Sequence, residues 1–139
     1  MLAKTKILTI SSDTVLVNFL KQNLADGEYE IISTRHTDAR LRNIINSEQP
    51  EFIILDIMMP TLDGIGICLQ LRQWTQLPIM MLSTWGTGDG SVRGLNLGSE
   101  NYLTEPFGAD TLKIRIEETL ERNATAMIDP LSSTHNTKN

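Results

Sequence analysis

Asp56 follows Phe52-Ile53-Ile54-Leu55, the most apolar run of the chain. A carboxylate placed directly after four core residues is held at the mouth of a sheet, where it serves as a nucleophile or a metal ligand. The plainer alternative is an aspartate that ends a strand and caps a turn. Three other polar clusters follow apolar runs in the same way. They are Ser11-Ser12-Asp13 after Ile7–Ile10, Ser83-Thr84-Trp85 after Ile79–Leu82, and Thr104-Glu105-Pro106 after Tyr102-Leu103. The glycine-rich stretch Gly86–Gly90 is not a GxxxxGKS phosphate loop and follows the wrong strand for one.

The elements that position these groups are legible from periodicity. Short apolar runs at Ile7–Ile10, Ile31-Ile32, Phe52–Leu55, Ile79–Leu82 and Tyr102-Leu103 read as strands buried on both faces. Between them lie helical stripes: Leu16/Phe19/Leu20/Leu24, Leu41/Ile44/Ile45, Ile65/Cys68/Leu69 with Leu71 a further candidate, Val92/Leu95/Leu97 and Leu112/Ile116/Leu120. Asp13-Thr14 and Thr37-Asp38 are start signals for the first two helices. Asp26-Gly27 and Gly98 are stop signals for the first and fourth. Strand-then-helix alternation predicts a parallel sheet covered on both faces, with its chemistry at the carboxyl ends of the strands.

Composition narrows the class. With 139 residues, a formal charge of −5 and 40% hydrophobic residues, the chain is one globular domain and not a basic nucleic-acid binder. Cys68 is the single cysteine, so neither an internal disulfide nor a Cys/His zinc site is expected. No apolar run approaches the roughly 18 residues that span a bilayer, and the N-terminus lacks a signal-peptide core. The expectation is a cytoplasmic protein without membrane contact. From Asn123 to Asn139, eight of 17 residues are Asn, Ser or Thr, so 1–122 reads as the domain and 123–139 as a linker or disordered tail.

Pro50–Gly64, Pro78–Ser83 and Val92–Phe107 resemble three motifs of bacterial response-regulator receiver domains, most closely those of OmpR/PhoB-type transcription regulators. The resemblance runs from about Lys6 to Arg122. It implies an α/β fold, a doubly wound five-stranded parallel sheet in order 2-1-3-4-5 with five helices. It also implies roles: Asp56 as phosphoryl acceptor, the Met58 carbonyl as a Mg²⁺ ligand, Ser83 as the hydroxyl that meets the phosphoryl group, and Tyr102 as a switch aromatic. Tyr102 equally reads as an aromatic packed on the sheet edge. A cis peptide at Glu105-Pro106 is implied as well.

Two parts of that pattern are missing. Ser11-Ser12 stand where the family holds Mg²⁺ with an acidic pair, leaving Asp13 just beyond, and Glu105 stands where it has a lysine. Hydroxyls are poor substitutes for carboxylates around Mg²⁺, and phosphoryl transfer needs cations on the equatorial oxygens. Little or no Mg²⁺ binding is therefore expected; any metal site would draw on Asp13, Asp56 and Met58. The altered pocket of Ser11, Ser12, Asp13, Ser83, Thr84 and Glu105 has two readings. One is a hydrogen-bonded network, with Ser11 or Ser12 donating to Asp56 and Glu105 accepting from Ser83 or Ser12. The other is a decayed, solvated cleft. Thr84 and Trp85 should narrow access to Asp56.

The resemblance also implies a homodimer through the face of the fourth helix, fifth strand and fifth helix, using Arg93, Glu100, Asn101, Arg115 and Arg122. One ion pair typical of that face maps to neutral Ser91 and Thr111, Asn101 replaces an acid, and Glu117 replaces a base. The expected function is a non-enzymatic receiver, the regulatory part of a transcription regulator, acting by dimerisation or partner binding without phosphorylation. A sensor kinase or another regulatory protein is a candidate partner. DNA would be reached only through a domain outside this chain. The alternatives are a conventional phospho-accepting receiver and a flavin-phosphate binder at Ser11–Thr14, which lacks the expected glycine.

Overall fold

The computed structural model describes residues 4–25, 27–57, 64–84, 87, 90–95 and 104–128. In chain order the elements are β1 (Thr5–Ile10), α1 (Thr14–Leu24), β2 (Tyr29–Thr34), α2 (Ala39–Glu48), β3 (Phe52–Asp56), α3 (Gly64–Arg72), β4 (Ile79–Ser83), β5 (Arg93–Gly94) and α4 (Ala109–Ile128). The sheet order is β2-β1-β3-β4-β5. The pairs β1·β2, β1·β3 and β3·β4 are parallel, which places the carboxyl ends of β1, β3 and β4 side by side.

Period-two alternation along the central strands builds two cores. Ile7, Phe52, Ile54 and Leu82 face Leu16, Phe19, Leu20 and Leu24 of α1 and Leu112 and Ile116 of α4. Leu8, Ile10, Ile53, Leu55 and Met81 face Leu41, Ile45, Ile67 and Leu71 on the other side. All five residues of β3 are buried, as a middle strand with both faces covered requires. The stripe expected in α3 holds in part. Leu71 is fully buried and Cys68 packs against the core, but Leu69 is exposed and Ile67, which the stripe omitted, is fully buried. Apolar residues fall on several sides of Ile65–Leu71, so packing rather than pattern chooses the buried face.

Both start signals hold. Asp13 caps α1 by accepting from the Val15 N–H, and Asp38 caps α2 by accepting from the Arg40 N–H. Gly27, just past α1, has φ +141°, which a side chain would strain. The Arg40 side chain donates to Asp38 at 2.8 Å. That bond first, then the Arg40 backbone N–H, holds the Asp38 carboxyl at about 2 instead of its ordinary 3.8. A carboxyl lowered by folding adds stability above its unfolded value and loses it as pH falls through the folded one. The cap is therefore expected to weaken between pH 3.8 and about 2. Carboxyl NMR titration checks this: Asp38 should titrate near the lower limit, and Arg40→Ala should return it toward ordinary. An unchanged midpoint in that variant removes the assignment.

The edge of the sheet departs from expectation. Val92–Leu95 is extended and not helical. Arg93–Gly94 form β5, antiparallel to β4, and Val92 bridges Phe107. The sheet is thus mostly parallel, with four helices among the described residues. Glycines at 90 and 94 each lower helix propensity by about 1 kcal/mol, and Val92 is fully buried as strand. Leu97 and Tyr102-Leu103 lie outside the described residues. The Glu105–Pro106 peptide is trans, not cis. Asn123, where the tail was expected to begin, lies within α4, which runs to Ile128. Ala124, Ala126 and Met127 are good helix formers and carry it on. The rest of that segment, 129–139, is outside the described residues. No helix among the described residues is long and apolar enough to cross a membrane.

Candidate functional site at the head of the sheet

Three buried polar residues meet at the carboxyl ends of the three middle strands: Ser11 (2% exposed) beyond β1, Asp56 (3%) at the end of β3 and Ser83 (2%) at the end of β4. Strand register aligns them, with Ile10 opposite Leu55 and Asp56 opposite Leu82. Backbone bonds secure the turns. The Ser11 N–H reaches the Thr34 carbonyl at 3.0 Å, and the Ile57 N–H reaches the Leu82 carbonyl at 3.0 Å.

The Ser11 hydroxyl donates to Asp56 Oδ2 at 2.7 Å. It also accepts the Asp13 N–H at 2.9 Å. An amide N–H only donates, so the single hydroxyl proton of Ser11 is directed at Asp56. A short bond to a carboxylate is among the stronger neutral-to-charged pairs. Ser11 therefore supplies a hydroxyl proton at a position where the resemblance implies a carboxylate. Of the two serines that were candidates for this, Ser11 does it; Ser12 is exposed.

Asp13 is engaged at both oxygens. Oδ1 accepts from the Val15 N–H at 2.9 Å and Oδ2 from the Thr84 hydroxyl at 2.7 Å. The Thr84 carbonyl in turn accepts from the Thr87 hydroxyl at 2.6 Å and the Thr87 N–H at 3.1 Å. Thr84 was expected to act by bulk; its hydroxyl bond to Asp13 was not legible, since the partners lie 71 residues apart. Glu105 is exposed, and among the described residues no bond joins it to Ser83 or Ser12. Solvent hydrates its charge, whereas moving it beside Asp56 would crowd two anions.

This donor set does not fit Mg²⁺. Among the described residues one buried carboxylate, Asp56, bonds the Ser11 hydroxyl, Ser12 is exposed, and the nearby Asp13 is already bonded at each oxygen. Among the described residues no group of three His, Cys, Asp or Glu is placed to share an ion. A small, tightly hydrated dication needs more anionic oxygen than this. Met58, the expected carbonyl ligand, and Tyr102, the expected switch aromatic, lie outside the described residues.

Of the residues expected on the dimer face, Glu100 and Asn101 also lie outside them. Arg93 sits on β5, not on a helix, and donates to the Thr104 carbonyl at 3.3 Å. Arg115 stacks over the Phe107 ring at 4.5 Å, and Arg122 reaches the Thr119 hydroxyl at 3.4 Å on the same helix.

The family profile described as "Response regulator receiver domain" matches residues 7–117. The "Probable transcriptional regulator ycf27" of Porphyridium aerugineum is 35% identical over 136 residues, covering 98% of this chain and 54% of that protein. The "Alkaline phosphatase synthesis transcriptional regulatory protein PhoP" of Bacillus subtilis (strain 168) is 35% identical over 122 residues, covering 87% of this chain and 50% of that protein. The chain thus spans about half the length of these curated relatives. Among solved structures, the receiver domain of the Francisella response regulator 1452 superposes with a TM-score of 0.64 at 29% identity, covering 86% of this chain and 99% of that one. The strand order, the buried aspartate closing β3 and the match across 7–117 lead to one conclusion: this chain belongs to the response regulator receiver domain family.

Proposed function

We propose that this receiver is the regulatory part of a ycf27/PhoP-like transcription regulator and works without phosphorylation of Asp56. The observation that carries the reading is the 2.7 Å bond from Ser11 to Asp56, made by a hydroxyl where a metal-binding acid is expected. A phosphoryl group on Asp56 would need cations around its equatorial oxygens. In place of the expected lysine the chain has Glu105, and Asp13 is committed to α1 and Thr84. The described cleft therefore favours a standing arrangement of hydrogen bonds over a transient phosphate.

Output would then come from assembly or partner contact, in the cytoplasm, with DNA bound by a domain outside this chain. The proposed assembly is a homodimer through the face carrying Arg93, Arg115 and Arg122. Its role is regulatory and not catalytic, as is general for the family.

The test is direct. The protein is incubated with Mg²⁺ and acetyl phosphate and its intact mass is measured. No added phosphoryl group is expected. A stoichiometric adduct that disappears in Asp56→Asn establishes the conventional phospho-accepting reading instead.

A further inference from the structure

We infer that Thr84 and Asp13 form a latch that fixes Thr84 and Thr87, just after β4, against the start of α1, so that the position of these two residues is set by side chains rather than by a phosphoryl group. The inference rests on the phosphorylation-independent reading above. Its geometry is a single carboxylate shared between two elements: Asp13 Oδ1 holds the Val15 N–H of α1, and Oδ2 holds the Thr84 hydroxyl at 2.7 Å. On one side the Thr84 carbonyl gathers Thr87 through two bonds. On the other, the Asp13 N–H reaches Ser11, whose proton reaches Asp56. A continuous run of protein groups, Asp56–Ser11–Asp13–Thr84–Thr87, therefore crosses the ends of β3, β1 and β4.

The latch also has a wall to hold. Thr84 and Thr87 face Val15, Asn18 and Phe19 of α1 across a cleft of about 370 Å³. With the hydroxyl bonded to Asp13, the two sides of that cleft are tied. With it released, Thr84 keeps its attachment to β4 but loses its tie to α1. A hydrogen bond to a charged group is strong enough that its loss changes local opening about tenfold.

Amide hydrogen exchange on the full chain, with no phosphodonor present, tests the latch. Thr84→Val keeps the shape and removes the hydroxyl. Asp13→Ser keeps a competent cap for α1 but has no second polar atom to offer Thr84. The Thr87 amide is expected to exchange about tenfold faster in both, while the Leu20 amide in the α1 core stays at the parent's rate. Thr84→Ser should restore protection. Should Thr84→Val fail to fold, Asp13→Ser decides alone. Unchanged exchange at Thr87 in the variants overturns the latch. A phosphoryl adduct on the parent would instead overturn the reading it rests on, so the two failures are separable.

Discussion

Ser11→Asp is expected to destabilise the domain strongly in the absence of divalent cation and to regain much of that loss when Mg²⁺ is added. Ser11 is buried and places its hydroxyl 2.7 Å from Asp56. Substitution replaces a donor by a second carboxylate beside the first. Two like charges about 4 Å apart cost on the order of 4 kcal/mol at the effective dielectric of a partly buried site. One of the two would take up a proton instead, which transfers the penalty to the pH dependence. The variant should therefore be least stable at neutral pH and recover both on acidification and on titration with Mg²⁺, since a ligand bound only by the folded state stabilises it by mass action. Parent stability should respond little to the same Mg²⁺ series. Thermal or urea unfolding at several pH values, with and without Mg²⁺, reads all of this. A variant as stable as the parent at neutral pH without metal would show that Ser11 is not turned toward Asp56.

Ile54→Ala is expected to cost about 2–5 kcal/mol. Ile54 is fully buried in β3, between β1 and β4, and packs in the core that joins the sheet to α1 and α4. Truncation removes transfer energy and leaves a cavity in a place where strands on both sides prevent collapse. Against a total stability of about 5–15 kcal/mol this is a large fraction. It also lies two residues before Asp56, so the strand end that positions the acid should loosen. Val15→Ala, at a position 63% exposed on α1, is the control and should change little. Urea unfolding of the two variants distinguishes them; equal midpoints would contradict the packing described for β3.

Asp56 at the head of a buried strand, the caps at Asp13 and Asp38 and the apolar faces of α1, α2 and α4 were all readable from local pattern. Each depends on residues near one another in the chain. Periodicity sets which face is apolar, and a cap needs only its own first turn. The expectation of a weakened metal site rests on residue type alone, because residue type limits which atoms can coordinate an ion. The phase of α3 was not legible, because its apolar residues allow more than one buried face.

The sequence by itself determined the fold class and the place of Asp56 at the end of the central strand. Only the tertiary structure decided that Ser11 rather than Ser12 meets Asp56, that Thr84 turns to Asp13, that Glu105 stays in solvent, and that Arg93–Gly94 pair antiparallel with β4. The physical reason is range. Ser11 and Asp56 are 45 residues apart and Asp13 and Thr84 71. Such bonds depend on where parallel strands end beside one another, and no local propensity encodes that meeting point.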